Sequence, residues 1–252
     1  MGAIEIKEMI KETVSAEAMV HVWDAYANAG YGDIHKLPSF RKMDKVLTRM
    51  FVKDVRAEVL DAGCGDGTFF ESIEKGISPA YIKGADWSPD MLQIAEKNAD
   101  LLREKGVRAE LEQIDLGERL PWANETFDCV VCHMVFCYIP KPWQAILTEL
   151  LRVTKKGGYL YLTTFLSGWD FSHVVKRHSL GEMFKWPPFI GIYHGLRLKK
   201  YPADAIKLAK EAGLQYPSLE GLYNFFRAAG CRDIICEPVF WGAAEAMRAK
   251  KT

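Results

Sequence analysis

The 252-residue sequence predicts an α/β fold: a mostly parallel sheet with helices on both faces. Three observations carry that expectation. From residue 55 to 165 short apolar runs alternate with helical patterns, as strand–helix–strand crossovers require. Within that span Val55, Val59 and Leu60 lead to Asp61 and then to Gly63, Gly65 and Gly67, before a helical pattern from Thr68 to Ile73. The glycines therefore fall in a strand-to-helix turn, where a Cβ would obstruct both the backbone angles and the close approach of a ligand. Finally, the length and a hydrophobic fraction of 49% suit one α/β domain with a sizeable core.

Residues 3 to 29 read as a helix, with Ile4, Ile6, Met9, Ile10, Val14, Ala18, Val22 and Tyr26 close to a 3.6-residue stripe, ended by the glycines of Asn28-Ala29-Gly30-Tyr31-Gly32. A second amphipathic helix, about Ser39 to Val52, groups Met43, Val46, Leu47, Met50 and Phe51 opposite Arg41, Lys42, Lys45 and Arg49, a basic face that reads as solvated. The helix from 88 to 105 is announced by Ser88 as N-cap and Pro89 at the first helical position. Tyr159 to Phe165 is a strand candidate entered through a Gly157-Gly158 turn. Helices are expected at 202 to 213 and 218 to 229, and a strand at 232 to 237. From Phe240 to Lys250 alanine, glutamate and methionine favour helix by propensity alone.

Lysine plus arginine equals aspartate plus glutamate, so no excess positive charge drives binding to nucleic acid. The charges at Glu5, Lys7, Glu8, Lys11 and Glu12 interrupt any leader-like apolar run, and no later stretch has the length and apolarity of a bilayer span. We therefore expect a cytoplasmic protein, monomer or homodimer. Cys129 and Cys132 have Cys-x-x-Cys spacing, but in a strand positions three apart point to opposite faces, which argues against a shared metal. Buried free thiols are expected, and no metal site.

The glycine spacing separates two kinds of ligand. A dinucleotide fingerprint wants Gly-x-Gly-x-x-Gly, but Thr68 stands where the third glycine should fall. Asp61, just before the turn, would repel a pyrophosphate and attract the ammonium of an amino-acid-like ligand. The pattern Asp61-x-Gly63-x-Gly65-x-Gly67 resembles the first motif of the class I S-adenosylmethionine-dependent methyltransferases. Further resemblances follow in order: Tyr81 to Leu92 with Asp86-Trp87, Ile114-Asp115, Leu120 to Val131, and Glu149 to Val153 with Lys155-Lys156-Gly157-Gly158. The resemblance covers about residues 55 to 165. It implies a Rossmann-like three-layer sandwich with a seven-stranded, mostly parallel sheet in a single domain, with residues 1 to 53 as a helical lid and 55 to 165 as cofactor core. Residues 166 to 213 would be an inserted substrate cap, and 214 to 252 the rest of the core, ending in an antiparallel strand.

The same resemblance implies S-adenosylmethionine as cofactor, with S-adenosylhomocysteine as product. Asp61 and the Gly63-Cys64-Gly65 backbone would hold its methionine portion, and Asp86 its ribose. Trp87 and Met91 would pack on adenine, with Asp115 and Leu116 at its polar edge. Trp23, Tyr26 and Tyr31 are the lid residues placed to touch the cofactor, and Cys132 lies where the family lines the reaction centre. His133 is the first candidate for a general base, because histidine titrates near neutrality; Tyr138, His173, His178 and His194 follow. The acceptor is expected to be a small molecule bearing an oxygen, nitrogen or carbon nucleophile. Between Leu166 and Gly213 stand seven aromatics, with eight lysines and arginines against four acids, which suggests a flat or hydrophobic acceptor, with an anionic group as an option. Two other readings stay open: a non-catalytic cofactor-binding or partner subunit, and a Rossmann enzyme using another nucleotide.

Overall fold

The computed structural model describes residues 16–28, 38–51, 57–70, 79–139, 141–168 and 216–252. These form α1 (Ala16–Asn28), α2 (Pro38–Met50), β1 (Glu58–Ala62), β2 (Tyr81–Asp86), α3 (Pro89–Glu104), β3 (Arg108–Gln113) and β4 (Phe127–His133). They continue as α4 (Trp143–Val153), β5 (Thr154–Phe165), α5 (Leu219–Ala228), β6 (Arg232–Val239) and β7 (Ala244–Lys250). The strands make one seven-stranded sheet in the order β3-β2-β1-β4-β5-β7-β6. β1 to β5 run parallel, and β7 is antiparallel to both of its neighbours. From β1 the chain steps outward first through β2 and β3, then through β4 and β5. That reversal opens a crevice at the carboxyl ends of β1 and β4, the place where open α/β sheets bind ligands.

Alternation along the strands divides the core into two layers. Val59 and Val131 pack with Met43 and Leu47 of α2 and Ala99 and Leu102 of α3 on one face. Leu60, Val130 and Leu162 pack with Ile146 and Leu150 of α4 and Leu222 and Phe226 of α5 on the other. Each such fully buried side chain contributes about 1.5–3 kcal/mol. Phe51, just beyond α2, stacks on the Tyr161 ring at a centroid distance of 4.4 Å.

Local signals explain most boundaries. Ser88 caps α3 from extended backbone, its Oγ accepting the Met91 N–H at 3.1 Å, with Pro89 next. Ser218 caps α5 the same way through Gly221 N–H. The apolar side of α2 is buried while Arg41, Lys42, Lys45 and Arg49 are exposed, and Arg49 pairs with Glu237 of β6. The helix expected over 3 to 29 is described from Ala16 onward. The expected helix at 202 to 213 and nearly all of the expected cap lie outside the described residues, with Tyr31, His173, His178 and His194.

Two expectations are corrected or decided, and strand pairing and a local turn set the ends of β4 and β3. Gly157 and Gly158 do not form a turn ahead of β5; the strand starts at Thr154, directly after α4, and the glycines sit in a bulge. There the ladder with β4 slips between the pairs Phe127–Thr154 and Cys129–Tyr159, Gly157 takes a φ of +78°, and its N–H donates to the Lys251 carbonyl at 2.8 Å. β4 runs on through Cys132 and His133, because they pair with Leu162 and Thr163. β3 stops at Gln113, since Asp115 turns back to accept the Gly117 N–H at 2.7 Å. The tail from Ala244 is a strand, as the family resemblance implies: lying between β5 and β6, its backbone is hydrogen-bonded on both sides, which overrides helix propensity.

Candidate functional site

The turn after β1 is tied to the end of β2. Gly63 N–H and Cys64 N–H both donate to the Ala85 carbonyl, at 2.7 and 3.0 Å. Gly63 has φ +83°, and a Cβ there would sit 2.3 Å from a methyl of Val135. Gly65, at φ +52°, has nothing within 4 Å of its missing Cβ and lines a pocket, so its backbone is open to a ligand. Asp66 closes the turn: its Oδ1 accepts Thr68 N–H at 3.1 Å and Thr68 Oγ1–H at 2.7 Å, a local Asx-type closure.

Besides Asp66, three acids meet in this pocket, each differently partnered. Asp86 is held by the turn itself, Oδ2 accepting Gly65 N–H at 2.8 Å and Oδ1 accepting Ser88 N–H at 2.9 Å. Burial raises its pKa while those N–H groups lower it, with a net upward direction. A carboxylate has about four acceptor positions, and with the Trp87 N–H as a third backbone partner acceptor capacity still remains for a ligand. Asp115 uses Oδ1 in its own turn. Asp61 differs from both: it is 1% exposed, and neither carboxylate oxygen has a hydrogen-bond partner. Desolvation, then the charges of Asp86 and Asp66, push its pKa up to about 8. An unpartnered buried carboxylate is costly to a fold, and it is the group that a bound cation would satisfy.

Much of the pocket's wall is apolar. Phe40 and Met43 of α2, Trp23 of α1, and Met134, Tyr138 and Ile139 beyond β4 line it. α1 is seated on the start of α3, where Ser88 Oγ donates to Asp24 and Asn28 Nδ2 donates to Asp90 at 2.6 Å. Trp23 meets Tyr138 edge to face at 5.1 Å. The polar exception on this wall is His133, whose Nε2 lies 3.0 Å from Asp44 Oδ1 and whose Nδ1 lies 2.5 Å from Thr163 Oγ1. Both ring nitrogens are therefore engaged.

Asp61, Gly63, Cys64, Gly65, Asp86, Trp87, Met91, Asp115, Leu116, His133 and Tyr138 come together around this one pocket. Tyr26 and Cys132 do not line it. Tyr26 is buried behind Trp23, in a cluster with Met91. Cys132 is fully buried in β4, its thiol pushed up to about 12 by burial. Sequence reasoning missed Phe40, Met43, Asp44 and Asp66. An Asp-x-Thr turn pattern could have revealed Asp66; for Phe40 and Met43 the amphipathic stripe revealed burial but not the pocket. Among the described residues Cys64, Cys129, Cys132, Cys231 and Cys236 are free thiols, no group of three His, Cys, Asp or Glu could hold a metal, and no helix is long and apolar enough to cross a membrane.

Comparison with known proteins agrees with this geometry. A family described as "Methyltransferase domain" matches residues 59–158. A demethylmenaquinone methyltransferase of Thermobifida fusca is 30% identical over 193 residues, covering 76% of this chain and 75% of the relative. Another, of Geobacillus stearothermophilus, is 25% identical over 235 residues, covering 91% and 95%. An uncharacterised methyltransferase of Schizosaccharomyces pombe is 31% identical over 140 residues, and this chain spans 50% of it. Among solved structures, a SAM-dependent methyltransferase from Thermotoga maritima superimposes with a TM-score of 0.58 at 18% identity, covering 92% of this chain and 99% of that one, a likeness of fold. The cofactor that the glycine turn and the unpartnered Asp61 fit is S-adenosylmethionine, and the chain belongs to the class I S-adenosylmethionine-dependent methyltransferases.

Proposed function

We propose that this methyltransferase acts on a small, planar, mostly apolar acceptor of the phenol or reduced-quinone kind. The observation that carries the reading is the apolar lining that Phe40, Met43 and Met134 add to the pocket of the glycine turn, a surface suited to a flat hydrophobic ligand. Two relatives named demethylmenaquinone methyltransferases support it. The bound cofactor supplies an electrophilic methyl on a sulfonium, so the protein's task is alignment and exclusion of water, effects worth about 7–11 kcal/mol when alignment is good.

In this reading Asp61 takes the ammonium, and the Gly63-Cys64-Gly65 backbone carries the methionine portion. Asp86 takes the ribose hydroxyls with the acceptor capacity left by Gly65, Trp87 and Ser88. Trp87 and Met91 flank the adenine, while the free oxygen of Asp115 and the Leu116 amide read its edge. His133 and Tyr138 stand at the acceptor end. With both ring nitrogens engaged, His133 shapes that end rather than taking the acceptor's proton directly. We assign the protein to the cytoplasm, as a monomer or homodimer acting on a diffusible acceptor.

The test is transfer of labelled methyl from S-adenosylmethionine to a panel of reduced benzo- and naphthoquinones, catechols and arylamines. Label in the aromatic hydroxyl or ring acceptors is expected; label only in polar amines, or in none of the panel, contradicts the reading. Asp86→Ala is expected to keep its fold but to bind S-adenosylmethionine about 1.5–3 kcal/mol more weakly, the range for hydrogen bonds to a charged group. Calorimetric titration checks this. Unchanged affinity in the folded variant would show the ribose lies elsewhere.

A further inference from the structure

The hydrogen bonds around His133 run as one chain beside the pocket, which His133 and Met134 line. Met134 N–H donates to Thr163 Oγ1 at 3.0 Å, and also to the Thr163 carbonyl at 3.0 Å. A carboxylate only accepts, so the bond to Asp44 assigns a proton to His133 Nε2, and in the neutral ring Nδ1 is left to accept the Thr163 hydroxyl proton. That arrangement gives a partner to both His133 ring nitrogens, the Thr163 hydroxyl and the Met134 N–H.

This chain links α2 by hydrogen bonds to the Met134 turn, which also packs against the cluster that holds Phe40 and Met43. At one end is α2, whose Phe40 and Met43 face the pocket; at the other is Met134, a pocket residue in left-handed backbone at φ +57°. Met43 and Leu47 are fully buried and Val46, Met50 and Phe51 nearly so, so α2 stays attached to the sheet without Asp44. An apolar stripe tolerates sliding and rotation; Arg49 with Glu237 and Arg248 on the Met50 carbonyl fix the far end of α2, and the part-buried Asp44 bond fixes it beside the pocket. Backbone in a sparsely populated conformation likewise persists only where its surroundings determine it.

We propose that Asp44 and Thr163 are positioning residues for methyl transfer: through His133 they lock α2 in register with the Met134 turn, so that both sides of the acceptor wall are set together. The proposal rests on the reading of that wall as the acceptor site. It gives His133 a structural proton and not a catalytic one.

The test compares Asp44→Ala, Asp44→Asn and Thr163→Val in the full chain by amide hydrogen exchange, with S-adenosylhomocysteine affinity measured alongside. Asp44→Ala is expected to speed exchange of the amides at 43–50 and 134–136 at least tenfold, while affinity for S-adenosylhomocysteine stays within threefold. Asparagine still accepts the Nε2 proton, so Asp44→Asn is expected to return exchange to within twofold of the wild type. Thr163→Val, similar in shape, should loosen both segments. With 1,4-naphthoquinol as acceptor, the alanine variant should raise KM about tenfold with kcat within threefold. Unchanged exchange in Asp44→Ala, or an asparagine variant as loose as the alanine one, overturns the proposal. Failure of the wild-type protein to methylate any quinol or phenol would sink the acceptor reading alone, because the exchange measurements decide the lock independently.

Discussion

Replacing Asp61 with asparagine is expected to stabilise the cofactor-free protein and, in the same molecule, to weaken cofactor binding. Asp61 is buried without a partner, and its pKa is pushed from 3.8 up to about 8. A carboxyl group with a raised folded-state pKa holds its proton longer in the folded chain than in the unfolded one. Its contribution is therefore most favourable below about pH 4 and is lost as pH rises toward about 8. At about 1.4 kcal/mol per pH unit, the handicap near pH 8 amounts to several kcal/mol. Asparagine has nearly the same size and no titration, so thermal melts of the variant should lack the wild type's decline between pH 4 and 8 and should lie above it at pH 8. Affinity should move the other way. Losing the charge opposite an ammonium costs about 1.5–3 kcal/mol, roughly tenfold to a hundredfold in Kd. Equal pH dependence of the two melting curves would show that Asp61 is not the strained group.

Gly63→Ala and Gly65→Ala should separate folding from binding within one turn. At Gly63 a methyl meets Val135 at 2.3–2.9 Å and the backbone is left-handed. Left-handed backbone costs an alanine about 1–2 kcal/mol and overpacking about 1–3 kcal/mol, so a loss of about 2–5 kcal/mol is expected. For a chain of this size that is a fall of about 10 °C in Tm. At Gly65 the methyl meets nothing within 4 Å, so only the backbone penalty applies and the fall should be a few degrees. There the methyl enters the pocket instead, and S-adenosylmethionine affinity should drop at least tenfold. Scanning calorimetry and ligand titration of the pair check both; a Gly63→Ala variant that melts like the wild type would contradict the packing account.

The contrast explains what could be read from the sequence. Turn glycines, the Ser88 cap and the acids at the carboxyl ends of β1 and β2 announce themselves because local backbone chemistry demands those residue types at those places. The antiparallel β7 did not: Ala244 to Lys250 has helical propensity, and only the flanking ladders of β5 and β6 make it a strand. Likewise, nothing in the spacing of Gly157-Gly158 distinguishes a turn from a bulge, because the register slip belongs to the pairing with β4. At the site, Asp61 could be picked out from its position, but its lack of any partner is a property of three dimensions. Asp44 is one acid among the charges of an amphipathic helix, and its approach to His133, 89 residues away, has no local signature. His133 itself drew attention as a base because isolated histidines titrate near neutrality. In the structure both of its nitrogens have partners, Asp44 and Thr163, which no local pattern announces.

The most direct test of the account is calorimetric titration of S-adenosylmethionine at pH 7 in two buffers of different ionisation enthalpy. Asp61 is mostly protonated at that pH when free and must ionise to meet an ammonium, so binding should release about one proton from the wild type and almost none from Asp61→Asn. Tight binding with no proton release, or binding of NAD in place of S-adenosylmethionine, would contradict it.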